Sequence, residues 1–70
     1  MNRQPVSSGN IRSVGYDADS SMLEIEFASG SIYQYFNVPE NEYRSLMNAS
    51  SKGRYFNRNI KDRYRYLEVA

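Results

Sequence analysis

The chain predicts a small α+β domain: an antiparallel three-stranded meander, with a C-terminal segment available as a fourth strand and two helices packed on one face. Three observations carry that prediction. Leu23-Glu24-Ile25-Glu26-Phe27 alternates apolar and charged residues with the period of a half-buried strand. Residues 30 to 39 combine a turn glycine, an alternating aromatic stretch and a proline stop. Beyond Pro39, Tyr43, Leu46 and Met47 recur at i, i+3 and i+4, the spacing of a helix that lays one stripe on an apolar surface.

Taken in order, positions 1 to 10 are polar, with Pro5, Gly9 and several serines and asparagines. They bury too little surface to offset the entropy of ordering, so they are expected as a flexible arm before a single domain over residues 11 to 70. Residues 11 to 17 form the first expected strand, with Val14 and Tyr16 on one face and Gly15 marking a bulge or a close backbone approach. Asp17-Ala18-Asp19-Ser20-Ser21 is a turn, because its side chains bond their own backbone. In the next strand Leu23, Ile25 and Phe27 point inward and Glu24 and Glu26 point to water.

Ala28-Ser29-Gly30 reverses the chain, with Gly30 free to take a positive φ. Residues 31 to 36 put Tyr33 and Tyr35 on one face and Ile32, Gln34 and Phe36 on the other, which suits a strand covered on both sides at the sheet centre. Pro39 presets φ for a first helical turn, and Glu40 and Glu42 lie at the positive end of its dipole. A helix of roughly ten residues results. Ser50-Ser51-Lys52-Gly53 ends it and offers a new N-cap, after which Tyr55, Phe56 and Ile60 sit at helical spacing in a second, shorter helix. From Tyr64 to Val69 the pattern alternates again, as a strand returning to the sheet edge.

Composition narrows the function. Seven tyrosines stand beside no histidine, cysteine or tryptophan, so the usual nucleophile, base and metal-ligand sets are mostly missing. A chain this short buries only about 60% of its unfolded surface, and with no disulfide or zinc to staple it, its core must come from aromatics, leucine, isoleucine and valine. The net charge is +1, yet it is unevenly spread. Residues 1 to 50 set Arg3, Arg12 and Arg44 against six acidic residues, a net of −3, whereas residues 51 to 70 set six basic residues against Asp62 and Glu68, a net of +4. Such polarity points to a partner for the C-terminal third. No apolar run suits a signal peptide or a membrane span, so a cytoplasmic protein without a membrane partner is expected.

The residues quoted so far resemble the KTSC domain, a short module at the C-terminus of some lysyl-tRNA synthetases that also occurs as a free-standing bacterial protein. The carriers are Tyr16-Asp17, Leu23-x-Ile25-x-Phe27, Gly30-x-x-Tyr33-x-Tyr35 with Val38-Pro39, then Tyr43, Leu46 and Ala49, and last Ser51-x-Gly53-x-Tyr55-Phe56-Asn57 with Ile60. The resemblance spans nearly the whole chain, and its hallmark is the central Y-x-Y. It implies RNA binding, by the company the module keeps with a tRNA-charging enzyme. It brings no catalytic or ligand residue with it. Nothing in these residues matches the aminoacylating body of a synthetase, so tRNA charging is not expected.

Two constellations bear on binding. Tyr33 and Tyr35 form either a stacking platform for bases or part of the core under Tyr43 and Leu46, and exposure decides between them. The segment from Lys52 to Arg65 interleaves Lys52, Arg54, Arg58, Lys61, Arg63 and Arg65 with Tyr55, Phe56 and Tyr64. Cations for phosphate and rings for bases make an RNA-binding groove, and a merely solvated face is the alternative. The candidate nucleic-acid-binding residues are therefore Tyr33, Tyr35, Lys52, Arg54, Tyr55, Arg58, Lys61, Arg63 and Arg65. Glu24 and Glu26 lie on the solvent side of a strand, away from any desolvating pocket that would make an acid/base couple. Asp17 and Asp19 belong to turn chemistry rather than a metal cage, and Ser50, Ser51 and Lys52 to helix capping rather than a serine-lysine nucleophile. The expectation is a non-catalytic binding module with no cofactor or metal, its partner RNA. The alternative is another protein, met by the sheet edge or the basic segment.

Overall fold

The structure is a computed structural model that describes residues 1 to 70. Five strands, β1 (Gln4–Ser8), β2 (Ile11–Asp17), β3 (Met22–Phe27), β4 (Ile32–Tyr35) and β5 (Tyr66–Glu68), form one antiparallel sheet in the order β1-β2-β3-β4-β5. Helices α1 (Glu40–Asn48) and α2 (Lys52–Asn59) fill the connection between β4 and β5. They cover the face that carries Val14, Leu23, Ile25 and Tyr35, so that Leu46, Phe56 and Ile60 close a single core against the sheet. Leu46 and Ile60 are fully buried, and removing such side chains from water contributes about 1.5–3 kcal/mol each.

The meander, the covering helices and the C-terminal strand are as the sequence predicts, with one strand more. Residues 4 to 8, expected in a flexible arm, form β1 and pair with β2 through Gln4↔Val14, Pro5↔Ser13 and Ser8↔Ile11. Apart from Val6, which packs against the core, β1 offers the sheet backbone hydrogen bonds rather than apolar surface. Its composition therefore does not announce it. Pro5 is tolerated because β1 is an edge strand. Its far end is tied to α2, where the Ser8 hydroxyl oxygen accepts the Lys52 and Gly53 amide N–H groups at 2.8 and 3.2 Å, two donors that a helix start leaves unpaired.

The extra strand also moves the centre of the sheet. β3, not β4, is the middle strand. The outer face is polar there, and it corrects a second expectation: Glu24 is 8% exposed rather than directed to water. The Arg3 guanidinium donates to it and to Ser13 Oγ (2.9 Å), the Gln34 amide donates to Glu24 Oε1 at 2.9 Å, and the Ser13 hydroxyl donates to Glu26 at 2.9 Å. Burial pushes the Glu24 carboxyl upward, and the hydrogen bonds from Gln34 and Arg3, with the charges of Arg3 and the N-terminal amine, outweigh it and hold the group below its ordinary range. Gly15 marks a close approach, as one of its two readings has it. A Cβ there would lie 2.9 Å from the Asn2 carbonyl oxygen. The bulge of β2 falls instead between Ile11 and Ser13.

Local signals hold elsewhere. Asp17 accepts the Asp19 N–H at 3.1 Å and the Ser20 hydroxyl at 2.9 Å, which closes the β2–β3 turn. Gly30 has φ +95° in the β3–β4 reversal. Ser51 caps α2 by accepting the Arg54 N–H, whereas Pro39 sits at the N-cap of α1, one position ahead of the first helical turn in which the sequence places it. The Tyr16 ring stacks on Tyr43 at 4.8 Å, and its hydroxyl donates to the Val38 carbonyl at 2.6 Å, fastening α1 to β2.

Candidate functional site

The antiparallel register of β4 and β5 sets Tyr35 opposite Tyr66 and Tyr33 opposite Glu68. Because alternate residues share a face, Tyr33, Tyr35 and Tyr66 gather on the helix side of the sheet. Phe27 at the end of β3 and Phe56 on α2 complete the group. Phe27 meets Tyr33 edge-on at 5.6 Å, Phe56 meets Tyr35 edge-on at 5.4 Å, and Tyr66 lies 5.6 and 5.7 Å from Tyr33 and Tyr35. These five rings line an open groove of about 410 Å³ whose polar rim includes Asn10, Asn57, Lys61 and Asp62. Its size falls at the small end of ligand sites, roughly 300–1,000 Å³.

The two tyrosines of the Y-x-Y stretch have different roles. Tyr35 is 3% exposed and belongs to the core, so it is not a stacking platform; Phe56, Tyr33 and Tyr66 clamp its ring. Burial, followed by the neighbouring Tyr33, Tyr66 and Asp62, pushes its phenol well above the ordinary range. Tyr33 is half-buried and its hydroxyl donates to Glu68 at 3.4 Å. The Glu68 charge, with a smaller contribution from burial, raises its pKa. The ring most open to solvent is Tyr66, 59% exposed.

The other expected binding residues divide into two sets. Lys61 is exposed at the groove, Arg54 and Arg58 are exposed one turn apart on α2, and Arg65 is exposed just before β5; none of the four enters an ion pair. Lys52, Tyr55 and Arg63 are engaged in holding the fold. The Lys52 ammonium donates to the Ala49 carbonyl at 3.2 Å. Tyr55 and Tyr64 both donate their hydroxyls to the Glu42 carboxylate, the latter at 2.9 Å, and Arg63 lies 3.7 Å from the same carboxylate and over the Tyr64 ring. Glu42 is 9% exposed and joins α1, α2 and the segment after α2. Its hydrogen bond raises the Tyr55 pKa, while burial, then Glu42, raises that of Tyr64.

Of the nine sequence-derived candidates, the structure therefore brings Tyr33, Tyr35 and Lys61 together at one groove, with Arg54, Arg58 and Arg65 outside its lining. Sequence reasoning missed Phe27, Phe56, Tyr66, Asn57 and Asp62 as lining residues. The alternation of residues 64 to 69 was the available signal for Tyr66, since a fourth strand beside residues 31 to 36 puts an aromatic against Y-x-Y. No such signal existed for Glu42, which resembles any acid in a first helical turn. No three His, Cys, Asp or Glu side chains converge in a way that would hold a metal ion. No helix is long and apolar enough to cross a membrane.

This architecture is that of a small single α+β domain, built as a meander with both helices inserted before the last strand. The chain belongs to the KTSC domain family, which matches residues 7–64. It is 41% identical over 70 residues to an uncharacterised protein from Stutzerimonas stutzeri, covering 99% of each. It is also 40% identical over 60 residues to a lysine–tRNA ligase from Nostoc punctiforme, covering 86% of this chain but only 11% of the ligase. The crystal structure of a KTSC domain protein from Yersinia pestis superimposes with a TM-score of 0.96 at 46% identity, covering 99% of this chain and 97% of that one.

Proposed function

We propose that this domain is a non-catalytic module that binds single-stranded RNA in the aromatic groove. The observation that carries the reading is the convergence of five rings and an unpaired lysine, Lys61, on one open groove. An exposed ring such as Tyr66 offers a stacking surface worth about 1–3 kcal/mol per base. Lys61 supplies a cation at the groove itself, and Arg54, Arg58 and Arg65 are further cations, free of ion pairs, outside its lining. The occurrence of a 40% identical stretch in a lysine–tRNA ligase supports an RNA partner.

Titration of the labelled protein with short single-stranded RNA tests this. The amides of Phe27, Tyr33, Phe56, Lys61 and Tyr66 should shift together, and Tyr66→Ala should weaken binding without unfolding so exposed a position. With three or four cations engaged, the affinity should fall with salt at a logarithmic slope of about −2 to −3. Spectra unchanged at millimolar RNA, or a flat salt response, would refute the reading. A second reading then stands on the edge strand β5, where Tyr66 and Leu67 are exposed and an extended peptide can add to the sheet.

A further inference from the structure

The groove contains a charge that an RNA-binding surface ordinarily avoids. Asp62, in the turn after α2, lines it together with Lys61 and the rings, and enters no ion pair. A carboxylate beside a phosphate path weakens binding by repulsion. Facing the edge of a stacked base, the same carboxylate becomes a recognition group, with two acceptor oxygens and no donor. The floor of the groove also favours a polar-edged ring over an aliphatic side chain. Tyr35 lines it, and its hydroxyl makes no hydrogen bond within the protein and is not sealed from solvent.

Among RNA bases only guanine presents two adjacent donors, N1–H and the exocyclic N2 amine, beside a carbonyl acceptor. Adenine and cytosine place a ring nitrogen acceptor next to their amine, and uracil flanks one N–H with two carbonyls, so each sets an acceptor lone pair against a carboxylate. Unstacked bases in single strands are read along these edges. We infer that the groove selects guanine in single-stranded RNA, with the base stacked on Tyr66, Asp62 accepting from N1–H and the N2 amine, and Lys61 donating to O6. The inference rests on the RNA reading above and adds the identity of the base.

Fluorescence anisotropy with short oligouridylates carrying one central guanosine, adenosine, cytidine or inosine, against the all-uridine strand, tests it at constant salt. The guanosine strand should bind about tenfold more tightly than the others, the discrimination expected of a bidentate pair. Inosine, which keeps N1–H and O6 but lacks the amine, should lose most of that gain. Asp62→Asn should abolish the preference, with guanosine affinity falling to the level of the rest. Equal binding of all five strands, with the Tyr33 and Tyr66 amides still shifting, would overturn the guanine assignment and leave the RNA reading in place. So would an Asp62→Asn variant that tightens every strand alike and keeps the guanosine preference. If none of the strands binds, the RNA reading fails and the inference with it. Asp62 is exposed and outside the helices and strands, and the comparison of strands on the unaltered protein decides the matter independently of the variant.

Discussion

Replacing Glu42 by alanine should destabilise the domain by about 3 kcal/mol, well beyond the 0.3–1 kcal/mol or so that an acid in a first helical turn usually contributes through the dipole. The figure follows from the two hydroxyls that the carboxylate holds. A hydrogen bond to a charged group is worth about 1.5–3 kcal/mol. Tyr55 and Tyr64 are only half-buried, so water replaces part of what they lose and the low end of that range applies to each. The ion pair with the exposed Arg63 adds little, on the order of 0–1 kcal/mol. Against a total stability of about 4–10 kcal/mol for a chain of this length, the loss is large. It corresponds to a fall in Tm of roughly 12–24 °C in a thermal melt followed by circular dichroism. Glu42→Gln, which keeps the shape and one acceptor oxygen, should fall between the two, and Tyr55→Phe and Tyr64→Phe should each lose about half as much as alanine. A melt of Glu42→Ala within about 3 °C of the unaltered protein would show that the cluster contributes nothing net.

Gly15→Ala should cost about 1–3 kcal/mol, because its methyl group would press on the Asn2 carbonyl, the Arg3 side chain and the Met1 sulfur. Deleting residues 1 to 3 should remove that penalty, and a penalty that survives the deletion refutes the contact as its cause. High pH gives a separate test. Tyr33, Tyr35, Tyr55 and Tyr64 all have pKa values raised by folding, so the folded state holds protons that the unfolded state gives up. Their contribution to stability is complete below pH about 10 and is lost as pH rises through the folded values; a Tm that stays level up to pH about 11 contradicts it.

Much of this molecule was legible because its signals are local. The alternation at residues 23 to 27, the Asp17 turn, the φ of Gly30 and the cap at Ser51 depend on groups within four residues of each other, and all appear where the sequence puts them. The candidate site was legible only in part. Tyr33, Tyr35 and Lys61 are there, but a linear run of basic and aromatic residues does not reveal which rings turn inward. Lys52, Tyr55 and Arg63 look like surface in the sequence and are drawn into holding the helices.

By itself the sequence determined the class of fold, the order of its elements from residue 11 onward and the family, since alternation, helical spacing and turn chemistry act over a few residues. Only the tertiary structure decided that polar residues 4 to 8 join the sheet, that Glu24 and Glu42 are buried, and that Tyr35 is core while Tyr66 is open. Each of those outcomes rests on partners far apart in the chain: Ser8 with Lys52, Arg3 with Glu24, Glu42 with Tyr64, and Tyr35 with Tyr66. The energy of such a pair comes into being only when folding brings both members out of water together.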